Sequence, residues 1–315
     1  MVCMRASRKI SINRSIMTLD DLRLRHSVRT YSPAPLDPSQ IRTLNAVITD
    51  INTHQSGMHF QLVTDSPDPF KGFSKSYGMF RNARNYVACV VDKSYSNYLE
   101  RGGYFGMQIL MRAFTLGLGT CFVSGTFSAK DVEARVRPGE ELLFLIVLGK
   151  EAEDGHDTFM ASLMHKMSHR HSGLTPMDFL DTKLPWEKIC DAFPLLLKGL
   201  EAVSYAPSAM NRQPVGILIK KAADPHNPLD TGKKSNKKLQ HRQDLSSRYD
   251  SLLHKAAGPS IQTETSPAHG LVLQAYVPQK KDVQLIDLGI AMYSFQAAFP
   301  GSWTWGNPAT FHPDE

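Results

Sequence analysis

The 315-residue sequence predicts an α+β protein built from two related halves. Three observations carry that reading. Short β-rich apolar runs alternate with segments whose apolar residues recur at three- and four-residue spacing. The order helix–strand–strand–helix occurs twice. The composition, 42% apolar and 21% charged, can bury a sizeable core. It excludes disordered, collagen-like and coiled-coil chains. The longest apolar stretch, Leu142 to Leu148, is far shorter than the ~20 residues of a membrane-spanning helix. A soluble protein with no membrane partner is therefore expected.

The elements follow in order. Thr18-Leu19-Asp20-Asp21 opens a capped helix directly after Met17. Asp37-Pro38 is a cap with a first-turn proline, and Ile41, Leu44, Ile48 and Ile51 form one apolar face of the helix that follows. His59 to Val63 reads as a strand and Tyr86 to Val91 as a buried one. Met107, Leu110, Met111, Phe114 and Leu118 mark a long amphipathic helix ended by Gly117 and Gly119. Thr120 to Val123 and Leu142 to Leu148 are two more strands, with a short helix from Ser128 between them. In the second half a helix through Leu195 to Ala202 leads to a strand, Val215 to Ile219. A strand at Leu271 to Val277 and a helix at Leu285 to Phe299 close the pattern. Phe105-Gly106-Met107 is similar to Leu288-Gly289-Ile290, each opening an apolar helix after a strand. The expected division is 17–185 and 186–315, the halves packing as one unit, with 221–268 an insertion. Residues 1–16 hold Arg5, Arg8, Lys9 and Arg14 without an acidic residue. They fit a transit peptide or an extension upstream of a true start at Met17, and the cap at Thr18 favours the second.

The net charge is +6, and its location narrows the partners. Residues 1–30 and 220–255 each carry +5, so the rest of the chain is net acidic. The basic run Lys233-Lys234-Ser235-Asn236-Lys237-Lys238 has no aromatic residue and reads as a solvated loop, with no nucleic-acid partner expected. Cys3, Cys89, Cys121 and Cys190 lie far apart with no C-x-x-C spacing, so no disulfide framework is expected and the cytoplasm is the default compartment.

Several motifs fail. Leu116-Gly117-Leu118-Gly119-Thr120-Cys121-Phe122 begins like a dinucleotide turn, but it follows a helix and carries Phe122 where the third glycine should stand. No P-loop occurs, and Ser124-Gly125 does not complete a nucleophile elbow. His165, His169 and His171 are spaced like metal ligands but are flanked by Lys166 and Arg170, and no metal is expected.

Two segments change the argument. Arg25-His26-Ser27-Val28-Arg29, taken alone, is either a solvated basic helix end or a phosphate holder, since two arginines and a serine can grip a dianion. Ala206-Pro207-Ser208-Ala209-Met210-Asn211-Arg212-Gln213-Pro214, taken alone, is a cap and turn. Together they resemble the two signature segments of the FMN-dependent nitroreductase family. Gly103-Tyr104-Phe105-Gly106 and the run Gly117 to Phe127 resemble its tandem-fused "putative TM nitroreductase" subgroup. The resemblance covers residues 18–220 well and 270–299 loosely.

That resemblance implies two fused halves that mimic a homodimer, with antiparallel-rich sheets flanked by helices. It implies an FMN-dependent oxidoreductase that takes hydride from NADH or NADPH and passes it to a nitroaromatic, a quinone or a similar flat acceptor. Reductive dehalogenation and a non-catalytic flavin-binding role are the alternatives. By the same resemblance Arg25, His26 and Ser27 face the FMN phosphate, with Arg170 joining them. Arg29 lies near the pyrimidine edge of the flavin, Ser124 and Gly125 lie against the ring, and Pro207, Ser208 and Asn211 close the site from the other half. No side chain is expected to act as a catalytic nucleophile. The second half shows no R-x-S near Thr182 to Glu187, and the first shows no A-P-S motif near Asn52 to Gly57. One composite site in a monomeric pseudo-dimer is the expectation.

Overall fold

The computed structural model describes residues 18–71, 76, 78–153, 174–222 and 270–314. Two antiparallel sheets flank a pair of long helices. The first half contributes α1 (Leu19–Leu24), α2 (Pro38–His54), β1 (Met58–Val63), β2 (Asn85–Asp92), α3 (Tyr98–Thr115), β3 (Gly119–Val123) and β4 (Glu140–Gly149). A short β5 (Leu180–Thr182) leads into α4 (Trp186–Ala192), α5 (Leu196–Ser204), β6 (Gly216–Lys221), β7 (Leu271–Tyr276), α6 (Asp282–Ala298), β8 (Gly301–Trp303) and β9 (Ala309–Pro313).

The two sheets share one strand order. The first runs β1-β2-β4-β3, and the second runs β5-β6-β7-β9-β8. With β5 set aside, element matches element through both halves. β5 pairs parallel with β6 while every other pairing is antiparallel. The fold is α+β and antiparallel-rich. Residues 180–182 precede the expected division at 185, yet they complete the second sheet.

Local chemistry explains the element ends. Thr18 caps α1 through a reciprocal bond with Asp21, and Asp37 and Gln40 form the same box on α2. The helix expected from Ser128 is only a single 3-10 turn, Ala129–Asp131, because Arg135 and Gln61 draw the following backbone towards β1. β8 and β9 were not expected from the sequence. Each is short, and their pairing depends on Phe311 packing among Phe295, Phe299 and Trp303.

The core is continuous across the halves. α3 and α6 cross at its centre, and α6 is buried at every residue from Ile286 to Met292. At the crossing the backbones touch. A Cβ on Gly103 would collide with the Ile286 carbonyl, and one on Gly289 with the Glu100 carbonyl. The contacts are reciprocal, so Gly103 corresponds to Gly289. The sequence match of Phe105-Gly106-Met107 to Leu288-Gly289-Ile290 is therefore displaced by three residues, most of a helical turn. Apolar residues recur at nearly every position of α6, so its composition could not fix the register.

Candidate functional site

The helix α1, which leads into the Arg25–Arg29 segment, lies against the second half. Arg23 on α1 donates to Glu201 on α5 (2.6 Å), which fixes the end of α1 against the second half. Arg25 is the C-terminal cap of α1. Val28 then donates its N–H to the Thr120 carbonyl (3.0 Å), and Ser27 forms a parallel bridge with Thr120, so this strip runs along the edge of β3. Cys121 Sγ donates to the Phe122 carbonyl (3.5 Å).

Two cations here have no counter-charge among the described residues. The Nε and Nη1 of Arg25 and the Nε of Arg29 are shut off from solvent and have no hydrogen-bond partner. Thr120 Oγ1 is orphaned in the same way. Burial, and then the neighbouring Arg29, push Arg25 down to about 10, although the Cys121 sulfur opposes them. Burial holds Cys121 above the ordinary thiol range despite the two arginines. Unpaired buried N–H groups on adjacent guanidiniums are costly, and an anion would satisfy them. His26 is placed differently. It is 64% exposed, with Nε2 facing Glu151 Oε1 at 3.1 Å on the outer rim.

Ser124 and Gly125 follow β3 directly and are exposed. A Cβ on Gly125 would meet nothing within 4 Å, and its φ lies outside the left-handed range. The protein's own packing does not require glycine at this position.

The second half supplies a turn with unusual backbone. Met210, Asn211 and Gln213 all have positive φ (52°, 52° and 44°), and none is glycine. Each such residue costs on the order of 1–3 kcal/mol and persists only where its surroundings impose it. Ser208 Oγ accepts the Gln213 N–H (2.9 Å), its carbonyl accepts the Asn211 N–H (2.9 Å), and Gln213 Nε2 donates to the Ser204 carbonyl (2.5 Å). Ser208 therefore shapes the turn, and Pro207 and Asn211 flank it, both partly buried. The Ala209 N–H donates to Asp287 Oδ1 on α6 (3.1 Å). Asp287 is 5% exposed, and burial raises its carboxyl to about 7. Sequence reasoning missed it. The available signal was a carboxylate in the apolar body of the helix, Asp287-Leu288-Gly289-Ile290.

The pseudo-symmetric position has been put to other uses. Element order sets the counterpart of Arg25–Arg29 after α4, at Phe193-Pro194-Leu195, and not at Thr182 to Glu187 as the sequence suggests. Those three residues carry no cation, and Phe193 is buried. Thr182 is instead tied to the Ile219 carbonyl (2.9 Å). On the facing half, Asn52 bonds both the N–H and the carbonyl of Phe60 (2.8 and 2.9 Å). Trp305, in the turn that corresponds to the one after β3, packs against Tyr104 and Phe105 at 5.5 and 6.0 Å between ring centres.

Arg170, the three histidines and most of the insertion lie outside the described residues, as do 1–16 and the basic loop at 230–242. Among the described residues no group of His, Cys, Asp and Glu could hold a metal, and no helix is long and apolar enough to cross a membrane.

Two matching α+β halves packed around crossed helices make up the fold. The family model described as "Putative TM nitroreductase" matches residues 18–224, and the chain belongs to that family. Among solved structures, a "putative nitroreductase" of Thermotoga maritima is similar at 15% identity, covering 97% of this chain and 98% of its own, with a TM-score of 0.49. An FMN-dependent nitroreductase of Clostridium difficile shows 16% identity, 47% and 96% coverage and a TM-score of 0.37. A nitroreductase with bound FMN from Bacteroides fragilis shows 16%, 44% and 89%, with a TM-score of 0.35. A search of curated protein sequences finds no match.

Proposed function

We propose that this chain is an FMN-dependent oxidoreductase that takes hydride from NADH or NADPH and delivers it to a nitroaromatic, a quinone or a similar flat acceptor in alternating half-reactions. One observation carries the reading. Arg25 and Arg29, on the strip beside β3, present buried N–H groups with no partner among the described residues. A phosphate monoester dianion satisfies such groups by charge-assisted hydrogen bonds.

FMN, when bound, supplies the two-electron chemistry that no side chain here can perform. The chain's residues bind and orient it. Arg25 and Ser27 hold the phosphate end, with Arg170 as a further cation from sequence. Arg29 holds a fixed positive charge where negative charge collects on reduction. The exposed Ser124-Gly125 turn leaves room for a ring to lie flat. Pro207, Ser208 and Asn211 close the pocket from the second half and exclude water. Two halves on one chain suit a monomer that acts as a pseudo-dimer, arisen by duplication. The scattered cysteines suit the cytoplasm.

The test is the spectrum and flavin content of the purified full chain after reconstitution. One FMN per chain is expected, bleached anaerobically by NADH or NADPH and recoloured by a nitro compound or quinone. A protein that cannot be loaded with FMN overturns the flavin reading. Two FMN per chain overturns the single composite site.

A further inference from the structure

The strained turn at 208–213 needs a support, and the structure supplies one from the centre of the molecule. Ser208 and Gln213 tie the turn to itself and to the end of α5. A further bond, from the Ala209 N–H to Asp287, ties the turn to α6 at the centre of the fold.

Asp287 is a costly residue to keep there. No cation pairs with it among the described residues, and a buried carboxylate without one is strongly disfavoured. An apolar side chain would pack α6 at least as well. The place it occupies is the helix crossing, where the two backbones touch. Because Gly289 corresponds to Gly103, Asp287 corresponds to Arg101 on α3. Arg101 donates from Nη2 to Gln55 (3.0 Å), at the end of α2 in its own half. The two halves therefore differ in charge at matching positions. The carboxylate lies behind the turn that carries the signature motif, and the guanidinium serves the segment that lacks it.

We propose that Asp287 is a positioning residue, holding the Ala209 N–H so that the Ser208–Asn211 turn keeps the left-handed backbone that closes the flavin site. Its carboxylate oxygen accepts one backbone proton that would otherwise be free to turn away. With that anchor gone, Met210 and Asn211 relax towards ordinary φ values and the wall of the pocket opens. The proposal rests on the reading that the second half completes an FMN site.

The test compares full-length wild type with Asp287→Ala, Asp287→Asn and Ala209→Pro. Asparagine keeps an acceptor oxygen. Proline removes the donor and leaves Asp287 in place, and the extended Ser208 before it tolerates that change (φ −142°, ψ 160°). FMN affinity is read by fluorescence titration, and hydrogen exchange of residues 208–213 is read without FMN. Asp287→Ala and Ala209→Pro should weaken FMN binding about 10-fold or more, the loss expected for one hydrogen bond to a charged group. Asp287→Asn should stay within about 3-fold of wild type, less than the ~1 kcal/mol typical of a neutral hydrogen bond. Exchange at 208–213 should quicken in the first two variants and recover in the third. Wild-type affinity in Ala209→Pro, or Asp287→Asn as weak as Asp287→Ala, overturns the positioning role. If Asp287→Ala fails to fold, Ala209→Pro and Asp287→Asn decide. A wild type that takes up no FMN overturns the proposed function, whereas the exchange data still report on the anchor.

Discussion

Arg25→Met should make the cofactor-free protein more stable and the cofactor site worse. Burial holds the guanidinium at about 10 against an ordinary 12.5. At 1.36 kcal/mol for each tenfold change in proton affinity, this is a ceiling of roughly 3 kcal/mol. Partial exposure of the residue reduces it to about 1–3 kcal/mol. The folded-state value lies below the unfolded one. The cost is therefore present in full at every pH below about 10, and fades only as pH rises from 10 to 12.5. Methionine keeps the aliphatic stem and removes the two stranded N–H groups. For a chain of this length the gain corresponds to a rise in Tm of about 2–5 °C. The same change removes charge-assisted bonds worth about 1.5–3 kcal/mol each to a phosphate, so FMN affinity should fall about 10–150-fold. Thermal unfolding of apoprotein at pH 7 and fluorescence titration with FMN measure the two effects on one preparation. A lower apoprotein Tm together with unchanged FMN affinity would show that Arg25 has an internal partner, and would refute the reasoning.

Other outcomes follow from the same geometry. Gly289→Ala forces a methyl into the Glu100 carbonyl and should cost about 3 kcal/mol or more, seen as a lower urea midpoint; an unchanged midpoint would mean the helices can part freely. Asp287 has a raised folded-state pKa, so its contribution is fully present below the ordinary 3.8 and is lost as pH rises towards about 7. Apoprotein stability should decline across that window by at most about 4 kcal/mol. In Asp287→Asn the profile should differ from wild type by the loss of this component, and a profile matching wild type would exclude Asp287 as the titrating group. Arg29→Ala should lower the flavin midpoint potential by about 30–60 mV, the two-electron equivalent of about 1.5–3 kcal/mol. A potential that stays put or rises would show that the side chain points away from the ring.

What the sequence reveals depends on how local the cause is. Thr18 with Asp21 and Asp37 with Gln40 are three residues apart, and both helix starts can be read directly. β2 and β4 carry their burial in continuous apolar runs, and both lie where expected. β8 and β9 are three and five residues long, and their partners are aromatic residues brought together only by folding. The site divides in the same way. Arg25, Ser27, Ser208 and Asn211 stand out only because their two segments together resemble a family's signature motifs; each segment alone is ambiguous. That Ser208 Oγ is used on Gln213, and that His26 turns towards Glu151, depends on backbone direction. Asp287 stayed hidden because its partner is the Ala209 amide, 78 positions away in sequence.

The crossing of α3 and α6 also bears on dilution. A pocket divided between two separate chains empties once protein concentration falls below the constant for their association. Here the two halves are joined covalently, so walls contributed by each, as proposed above, would meet at a local concentration on the order of millimolar, however thin the solution. Cofactor retention should therefore be independent of protein concentration down to the range of the FMN dissociation constant itself. The joining also removes the rule that every substitution appears twice. Arg101 and Asp287 can carry opposite charges at matching positions, which two identical chains cannot arrange.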